Sequence, residues 1–247
     1  VKKLAYLLVD GYWQVSVIDE IDSTQNYLKS KNLNHLQHGD VIATEFQSAG
    51  RGRLDRKFEA DKSVSLLFSL YVEPQRTRHD WGWIPLLAGI AVTKILNTQE
   101  KYFATKWPND VLAFESPADG KVSGILVETH HNGVIVGIGI NVGMTKTELP
   151  VPTATSLALL GIKELDRNEY LAKILEVFAH LLARWESGED LTSEYLDLSF
   201  TIGKKVEIHH TDGEIESGQA VGIGPHGELI LAEGRRIYSG DVNHLYT

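Results

Sequence analysis

The chain contains no cysteine and a single methionine among its 247 residues. Without cysteine there can be no disulfide bond, no cysteine-ligated zinc or iron–sulfur site and no thioester-forming nucleophile. Long apolar runs are also lacking, since no stretch approaches the roughly 20 residues of a membrane-spanning helix. The first 22 residues do not show the charged, apolar and small-residue regions of a signal peptide. These absences predict a cytoplasmic protein with no membrane partner.

The chain also has few basic residues relative to acidic ones, with 24 Lys and Arg against 33 Asp and Glu, so its net charge is −9. Nucleic-acid affinity comes mainly from cations that neutralise phosphates, so binding through the whole surface is disfavoured. Hydrophobic residues make up 43% and charged residues 23%, values typical of globular proteins. The length allows one large domain or two unequal ones.

Apolar periodicity and turn residues predict a mixed α/β fold. The expected strands cover 5–21, 41–46, 64–72, 102–107, 112–114, 122–129 and 134–142, and the expected helices cover about 24–37, 84–95, 166–187 and 191–198. After Gly203 only short strands and glycine turns follow, which predicts a small β-barrel-like domain. We therefore expect a larger domain at residues 1–200 and a smaller one at 201–247.

The densest local feature is the loop Gly50–Lys57, with four basic residues and one acidic residue among eight. Glycine lets a backbone approach a ligand closely, and arginine offers paired donors to phosphate or carboxylate. The loop therefore indicates an anionic ligand, although a solvated basic loop is an equally simple interpretation. Neither common nucleotide fingerprint fits, because Asp55 replaces the third glycine of the dinucleotide pattern. The perfect Gly-x-Gly-x-x-Gly match at Gly222–Gly227 lies between strands and predicts only a hairpin turn.

Six segments in order resemble the signature of the biotin protein ligases, also called biotin–[acetyl-CoA-carboxylase] ligases. They are Asp22-Ser23-Thr24, Gln47, Gly50–Arg53 with Arg56, Lys106–Asp110, Gly120–Glu128 and Gly137–Asn141. The resemblance implies an α/β catalytic domain related to class II aminoacyl-tRNA synthetases and lipoate ligases, a mixed sheet flanked by helices. It also implies a C-terminal SH3-like barrel.

The same resemblance implies an ATP-dependent ligase that makes biotinyl-5′-AMP from biotin and Mg-ATP. The biotinyl group then passes to one lysine of a biotin carboxyl carrier protein, part of acetyl-CoA carboxylase or another biotin-dependent carboxylase. Many relatives also carry an N-terminal DNA-binding helix-turn-helix. We expect that this chain lacks it, so no DNA partner is expected, and the sequence leaves homodimer formation open.

Site residues follow from the resemblance position by position. Catalytic roles fall on Lys121, Arg51 and Arg53. Biotin binding falls on Ser23, Thr24, Gln25, Gln47, Arg51, Gly52, Arg53, Lys121 and Gly124. ATP binding falls on Arg53, Phe58, Lys106, Asn109, Asp110, Lys121 and Asn141, with Asp110 also holding Mg²⁺. Two positions depart from many family members: Phe58 replaces an adenine-stacking tryptophan, and Asp55 replaces a glycine.

Such chemistry brings two anions, a carboxylate and a triphosphate, together at the α-phosphorus, so their repulsion must be screened by positive groups. The mixed anhydride that forms must then be protected from water, which gives a closing basic loop a second role. Two alternatives are a lipoate or octanoate ligase of the same fold and, more distantly, a nucleic-acid-binding module.

Overall fold

The computed structural model describes residues 11–31, 35–53, 61–99, 102–115 and 118–245. Its helices are α1 (Thr24–Ser30), α2 (Trp83–Leu96), α3 (Arg167–Glu186) and α4 (Thr192–Leu196), with a 3-10 turn at Arg78–Gly82. Its strands are β1 (Gln14–Ile21), β2 (Asp40–Gln47), β3 (Ser65–Val72), β4 (Phe103–Lys106), β5 (Asp110–Ala113), β6 (Gly120–His130), β7 (Gly133–Asn141), β8 (Lys205–His209), β9 (Ile215–Ile223), β10 (Leu229–Leu231), β11 (Arg236–Ile237) and β12 (Asp241–His244).

Strands β1 to β7 form one mixed sheet in the order β1-β2-β3-β7-β6-β5-β4. Only β1 and β2 pair in parallel, and every other neighbouring pair is antiparallel. The central strand β3 is buried at all eight positions, as expected for a strand covered on both faces. The tight connection between β6 and β7 confirms the hairpin predicted from Asn132-Gly133.

Helices α2 and α3 pack on one face of this sheet, and their apolar residues join those of the strands in the main hydrophobic core. Helix α3 follows its predicted apolar stripe, with nine buried residues including Phe178 and Trp185, and Asp166 caps its first turn. Helix α1 packs on the opposite face, where Leu28 joins Ile42, Tyr71 and Ile135 in a smaller apolar cluster. The rest of that second face is left for a cavity.

Helix α1 is shorter than expected. Ser23 caps its start as predicted, accepting from the Asn26 amide, but the helix ends at Ser30 rather than near residue 37. The segment that follows contains Asn and His, which are weak helix formers, and its Leu36 joins the cluster around Leu28 without being part of the helix.

Strands β8 to β12 form a separate five-stranded antiparallel sheet in the order β11-β10-β9-β8-β12. The fold class expected from the sequence is thereby confirmed: a large mixed sheet flanked by helices, and a small C-terminal β domain. The turn between β9 and β10 also confirms that the Gly222–Gly227 pattern is a hairpin and not a nucleotide loop.

The two sheets touch at the turn that follows β4. The indole Nε1 of Trp107 donates to the carbonyl oxygen of Gly227 at 3.0 Å, and the Trp107 amide donates to the Thr201 hydroxyl at 3.1 Å. Gly82 and Gly227 pack backbone to backbone, since a Cβ on Gly227 would lie 2.4 Å from the carbonyl carbon of Gly82. None of the described helices is both long enough and apolar enough to cross a membrane.

Candidate active site

A cavity of about 480 Å³ lies on the α1 side of the large sheet and reaches the C-terminal sheet at Asp241. Its walls come from the start of α1, the end of β2 with the loop after it, the turn between β4 and β5, and the middle of β6 and β7. All the predicted site residues that the structure describes line it. They are Ser23, Thr24, Gln25, Gln47, Arg51, Gly52, Arg53, Lys106, Asn109, Asp110, Lys121, Gly124 and Asn141.

Phe58 and Asp55 lie outside the described residues, so the adenine-stacking role of Phe58 stays a prediction.

One end of the cavity is a cluster of hydroxyl and amide side chains. The Thr24 amide and hydroxyl both donate to Oε1 of Gln47, at 2.7 and 3.0 Å. The Thr24 hydroxyl is also 2.8 Å from that of Ser69, which donates to Oε1 of Gln25 at 3.0 Å. Thr24, Gln25 and Ser69 are almost fully buried. These side chains pair with one another and keep further hydrogen-bonding capacity, since hydroxyl and amide groups each offer more than one donor or acceptor position. This end therefore favours a ligand with hydrogen-bonding atoms.

Gly137 makes room for that cluster. A Cβ at this position would lie 2.8 Å from Oε1 of Gln25 and 3.2 Å from the Ser69 hydroxyl. The glycine on β7 therefore lets Gln25 lie flat on the sheet, where its Nε2 donates to the Ile135 carbonyl oxygen at 3.2 Å. This explains why a glycine interrupts an otherwise apolar strand.

The other end of the cavity is cationic. Nζ of Lys121 lies 2.6 Å from Oδ1 of Asp110 on the neighbouring strand, with the lysine side chain 37% exposed. Lys121 and Gly124 approach each other although they are three residues apart, because the β5–β6 pairing shifts register opposite Val122. A Cβ on Gly124 would lie only 3.1 Å from Nζ of Lys121. Gly124 is thus needed for the path of the lysine side chain.

Arg53 connects the basic loop to both sheets. Its Nη1 donates to Oδ1 of Asn109 at 3.0 Å and to the Gly240 carbonyl oxygen at 3.4 Å, and it lies 4.0 Å from the carboxylate of Asp241. Asn109 is fixed in turn, since its Nδ2 donates to the Ile125 carbonyl oxygen at 2.7 Å. The cationic end is therefore built from three separate parts of the chain.

Arg51 lines the cavity between the two ends. Its guanidinium donates twice to the Glu128 carboxylate, with both nitrogen–oxygen distances at 3.1 Å. Lys29 on α1 reaches the same carboxylate at 2.6 Å. Burial raises the pKa of Glu128, but the hydrogen bond from Lys29 and the nearby positive charges outweigh burial and hold that pKa below its usual value. Glu128 is therefore ionised at neutral pH.

Asn141 contributes an unusual acceptor. Its Nδ2 donates to the Thr155 carbonyl oxygen at 2.9 Å, whereas its buried Oδ1 has no hydrogen-bond partner within the described residues. Across those same residues no group of three His, Cys, Asp or Glu could hold a metal ion. Magnesium commonly binds through one or two protein oxygens together with substrate phosphates. The carboxylate of Asp110 and Oδ1 of Asn141 are oxygens of the kind that such a site uses, and both residues line the cavity.

Several residues that shape the site were not among those predicted, including Ser69 and Asp241, which line the cavity, and Glu128, which contacts Arg51. Ser69 could have been noticed as one of two serines in the apolar run of β3. Glu128 closes a segment of the family signature, but its contact with Arg51 spans 77 positions in the chain. Asp241 carries no local signal, because only the packing of the C-terminal sheet brings it to the cavity.

Comparison with known proteins agrees with this architecture. Residues 17–145 match the biotin/lipoate A/B protein ligase family, and residues 201–245 match the biotin protein ligase C-terminal domain. A biotin–[acetyl-CoA-carboxylase] ligase of Mycobacterium tuberculosis is 33% identical over 95% of this chain and 90% of its own length. The bifunctional ligase/repressor BirA of Escherichia coli is 31% identical over 89% of this chain and 69% of its own length. The biotin protein ligase of Aquifex aeolicus, solved with biotin and ATP, superposes with a TM-score of 0.79 at 30% identity, covering 95% of this chain and 99% of that one.

The chain belongs to the biotin/lipoate A/B protein ligase family. Within that family, its C-terminal domain and its relatives group it with the biotin protein ligases.

Proposed function

We propose that the chain is an ATP-dependent ligase that activates biotin as biotinyl-5′-AMP and transfers the biotinyl group to a lysine of a carrier protein. The observation that carries the proposal is the polarity of one cavity. Hydroxyl and amide groups of Thr24, Gln25 and Gln47 lie at one end, and Lys121 and Arg53 lie at the other. Gln25 contacts β6 at the Leu126 carbonyl oxygen, and Nζ of Lys121 lies beside Gly124, two residues away on the same strand. The ammonium group and the polar end are therefore roughly 7 Å apart along the strand.

The polar end distinguishes biotin from lipoate. Biotin has a ureido ring with donors and an acceptor, whereas the ring of lipoate and the tail of octanoate form no strong hydrogen bonds. An apolar group could form no hydrogen bond with Thr24, Gln25 or Ser69, whereas a ureido group could exchange further hydrogen bonds with their hydroxyl and amide groups. We therefore favour biotin over the lipoate or octanoate alternative, and the family match favours a ligase over a nucleic-acid-binding module.

In the first step the biotin carboxylate attacks the α-phosphorus of ATP, a bond forms between carboxylate oxygen and phosphorus, and pyrophosphate leaves. Lys121 and Arg53 screen the repulsion between the two anions and stabilise charge on the α-phosphate. Lys106 and Asn109 line the nucleotide side of the cavity. Asp110 and Asn141 would hold Mg²⁺, which neutralises phosphate charge when bound.

In the second step the neutral amine of a carrier lysine attacks the acyl carbon, and AMP leaves with the former carboxylate oxygen. Arg51 and Gly52 line the cavity, and we assign them the role of keeping water from the mixed anhydride until the carrier arrives. We assign the carrier to the biotin carboxyl carrier class on the basis of the relatives. The cytoplasmic location and the domain boundary at residue 200 stay predictions from the sequence.

Substrate choice tests the proposal. The protein is incubated with Mg-ATP and, separately, biotin, lipoate or octanoate, and the acyl-AMP product is identified by mass spectrometry. We expect the biotin adenylate to form at least ~10²-fold faster than either alternative, the scale expected when buried polar groups lose their partners. Faster formation of the lipoate or octanoate adenylate would overturn the biotin assignment while leaving the ligase class intact.

A further inference from the structure

The ion pair between Arg51 and Glu128 connects a residue that lines the cavity to one that does not. Arg51 lines the cavity, but Glu128 is absent from the lining residues and lies on the far side of the guanidinium. Both carboxylate oxygens accept from Arg51, one from each terminal nitrogen. This paired geometry fixes the plane of the guanidinium as well as its distance, which a single hydrogen bond would not do.

Helix α1 supports the carboxylate from a second direction. Lys29 lies 2.6 Å from Oε1 of Glu128, and Asn26 accepts from Arg51 at 3.3 Å. The loop after β2, the helix α1 and the strand β6 are joined by these contacts. We call the four residues Asn26, Lys29, Arg51 and Glu128 the loop anchor.

The loop needs an anchor because its own backbone provides little rigidity. Arg51 lies between Gly50 and Gly52, and glycine has the largest conformational freedom of any residue. Arginine also loses considerable side-chain entropy when it is held in one position. Contacts that order Arg51 before the ligand arrives remove that loss from the binding step. Because the Arg51 side chain is 35% exposed, packing against the protein does not by itself hold it in one position.

The net charge of the loop anchor also favours binding of an anion. The anchor combines two cations with one carboxylate, so it keeps a positive charge beside the cavity after Arg51 has been fixed. A carboxylate or phosphate in the cavity then meets an already oriented cation.

We propose that Glu128 is a positioning residue that holds Arg51 in the cavity wall and so retains the acyl-adenylate between the two steps of the reaction. This inference rests on the proposed function, because it assigns Arg51 to the cover over the adenylate. Glu128 itself is not among the residues that line the cavity.

The test is a Glu128→Gln variant, which preserves size and removes the charge. The enzyme is loaded with biotin and Mg-ATP without carrier, and release of the adenylate is followed by rapid dilution and mass spectrometry. We expect release about tenfold faster than in the wild type, since one charged hydrogen-bond pair contributes on the order of that factor. The biotin KM should rise, while kcat for adenylate formation should stay within about twofold because no reacting group is lost.

Asp40→Asn is the matched control. Asp40 also pairs with a lysine, Lys31 at 3.1 Å, and lies outside the cavity lining. It should lose a similar amount of thermal stability without faster release. Lys29→Met removes one of the two cations that contact Glu128 but keeps the contact between Glu128 and Arg51. It should therefore accelerate adenylate release by a smaller factor.

A double-mutant cycle separates positioning from general weakening. Arg51→Met alone should accelerate release, and adding Glu128→Gln to it should cause little further change, because the two residues act through one contact. Additive effects, or unchanged release in Glu128→Gln, would overturn the inference. If the wild-type protein forms no biotin adenylate, the proposed function fails instead, and the two failures are therefore distinguishable.

Discussion

Replacing Lys121 by alanine removes a cation from the end of the cavity to which we assign the reaction. At about 3 Å and an effective dielectric constant of about 20, a lysine and a phosphate charge attract each other by about 5 kcal/mol. The Lys121 side chain is 37% exposed, and the Asp110 carboxylate 2.6 Å away shares its charge, so the net contribution is smaller. Loss of one preorganised donor typically costs about 10²-fold to 10³-fold in rate. We expect the lower end, about 10²-fold or 2.7 kcal/mol.

The assay is biotin-dependent exchange between ATP and pyrophosphate, which reports adenylate formation without the transfer step. Lys121→Arg should retain more activity than Lys121→Ala because it keeps a positive charge, although Gly124 leaves little room for a wider head group. Lys94→Ala is the matched control, since Lys94 forms an ion pair with Glu194 on the opposite side of the sheet. Exchange within threefold of wild type in Lys121→Ala would refute the charge-screening argument.

Three further predictions follow from contacts that surround the site. Gly137→Ala should raise the biotin KM by about tenfold, because the new Cβ would lie 2.8 Å from Oε1 of Gln25 and displace the polar cluster. Trp107→Phe should lower the free energy of unfolding by about 1 kcal/mol and reduce adenylation, since it removes the hydrogen bond to Gly227 beside the nucleotide end. Burial lowers the pKa of His244 from its usual value to about 4, so stability should fall as pH drops from about 6.5 towards 4, where the unfolded state binds the proton and the folded state does not.

Each of these predictions has its own check. Gly188→Ala, at a positive backbone φ angle with open space around it, controls for the loss of a glycine far from the cavity. Adenylation kinetics and chemical unfolding separate the two effects of Trp107→Phe, and unchanged values in both would contradict the role of the turn. A His244→Gln variant should show a weaker decline in stability over the same pH range. An identical decline would exclude His244 as its source.

Elements with strong local patterns could be predicted from the sequence. The apolar run of β3, the apolar stripe of α3 with its Asp166 cap, and the Asn132-Gly133 hairpin all encode their structure within a few residues. Helix α1 shows the limit of such patterns. Its cap is encoded locally, but its end depends on where the apolar contact of Leu28 with the sheet stops supporting it.

Part of the site could be predicted from the family resemblance and not from local patterns. The family resemblance identified residues such as Lys121 and Gln47, and the structure places them in one cavity. It did not explain why Gly124 and Gly137 must be glycines, because that depends on a register shift in β6 and on a side chain from α1. Nor could it identify the contacts of Arg51 with Glu128 and of Arg53 with Gly240, which join residues distant in the chain.

The most direct test of the central claim is transfer to a carrier. The purified protein is incubated with biotin, Mg-ATP and a biotin carboxyl carrier domain, and the carrier mass is measured with ATP present or absent. We expect the addition of one biotinyl group, only with ATP, and none when the target lysine of the carrier is replaced by arginine. A carrier that stays unmodified while a confirmed biotin ligase modifies it under the same conditions would contradict the account.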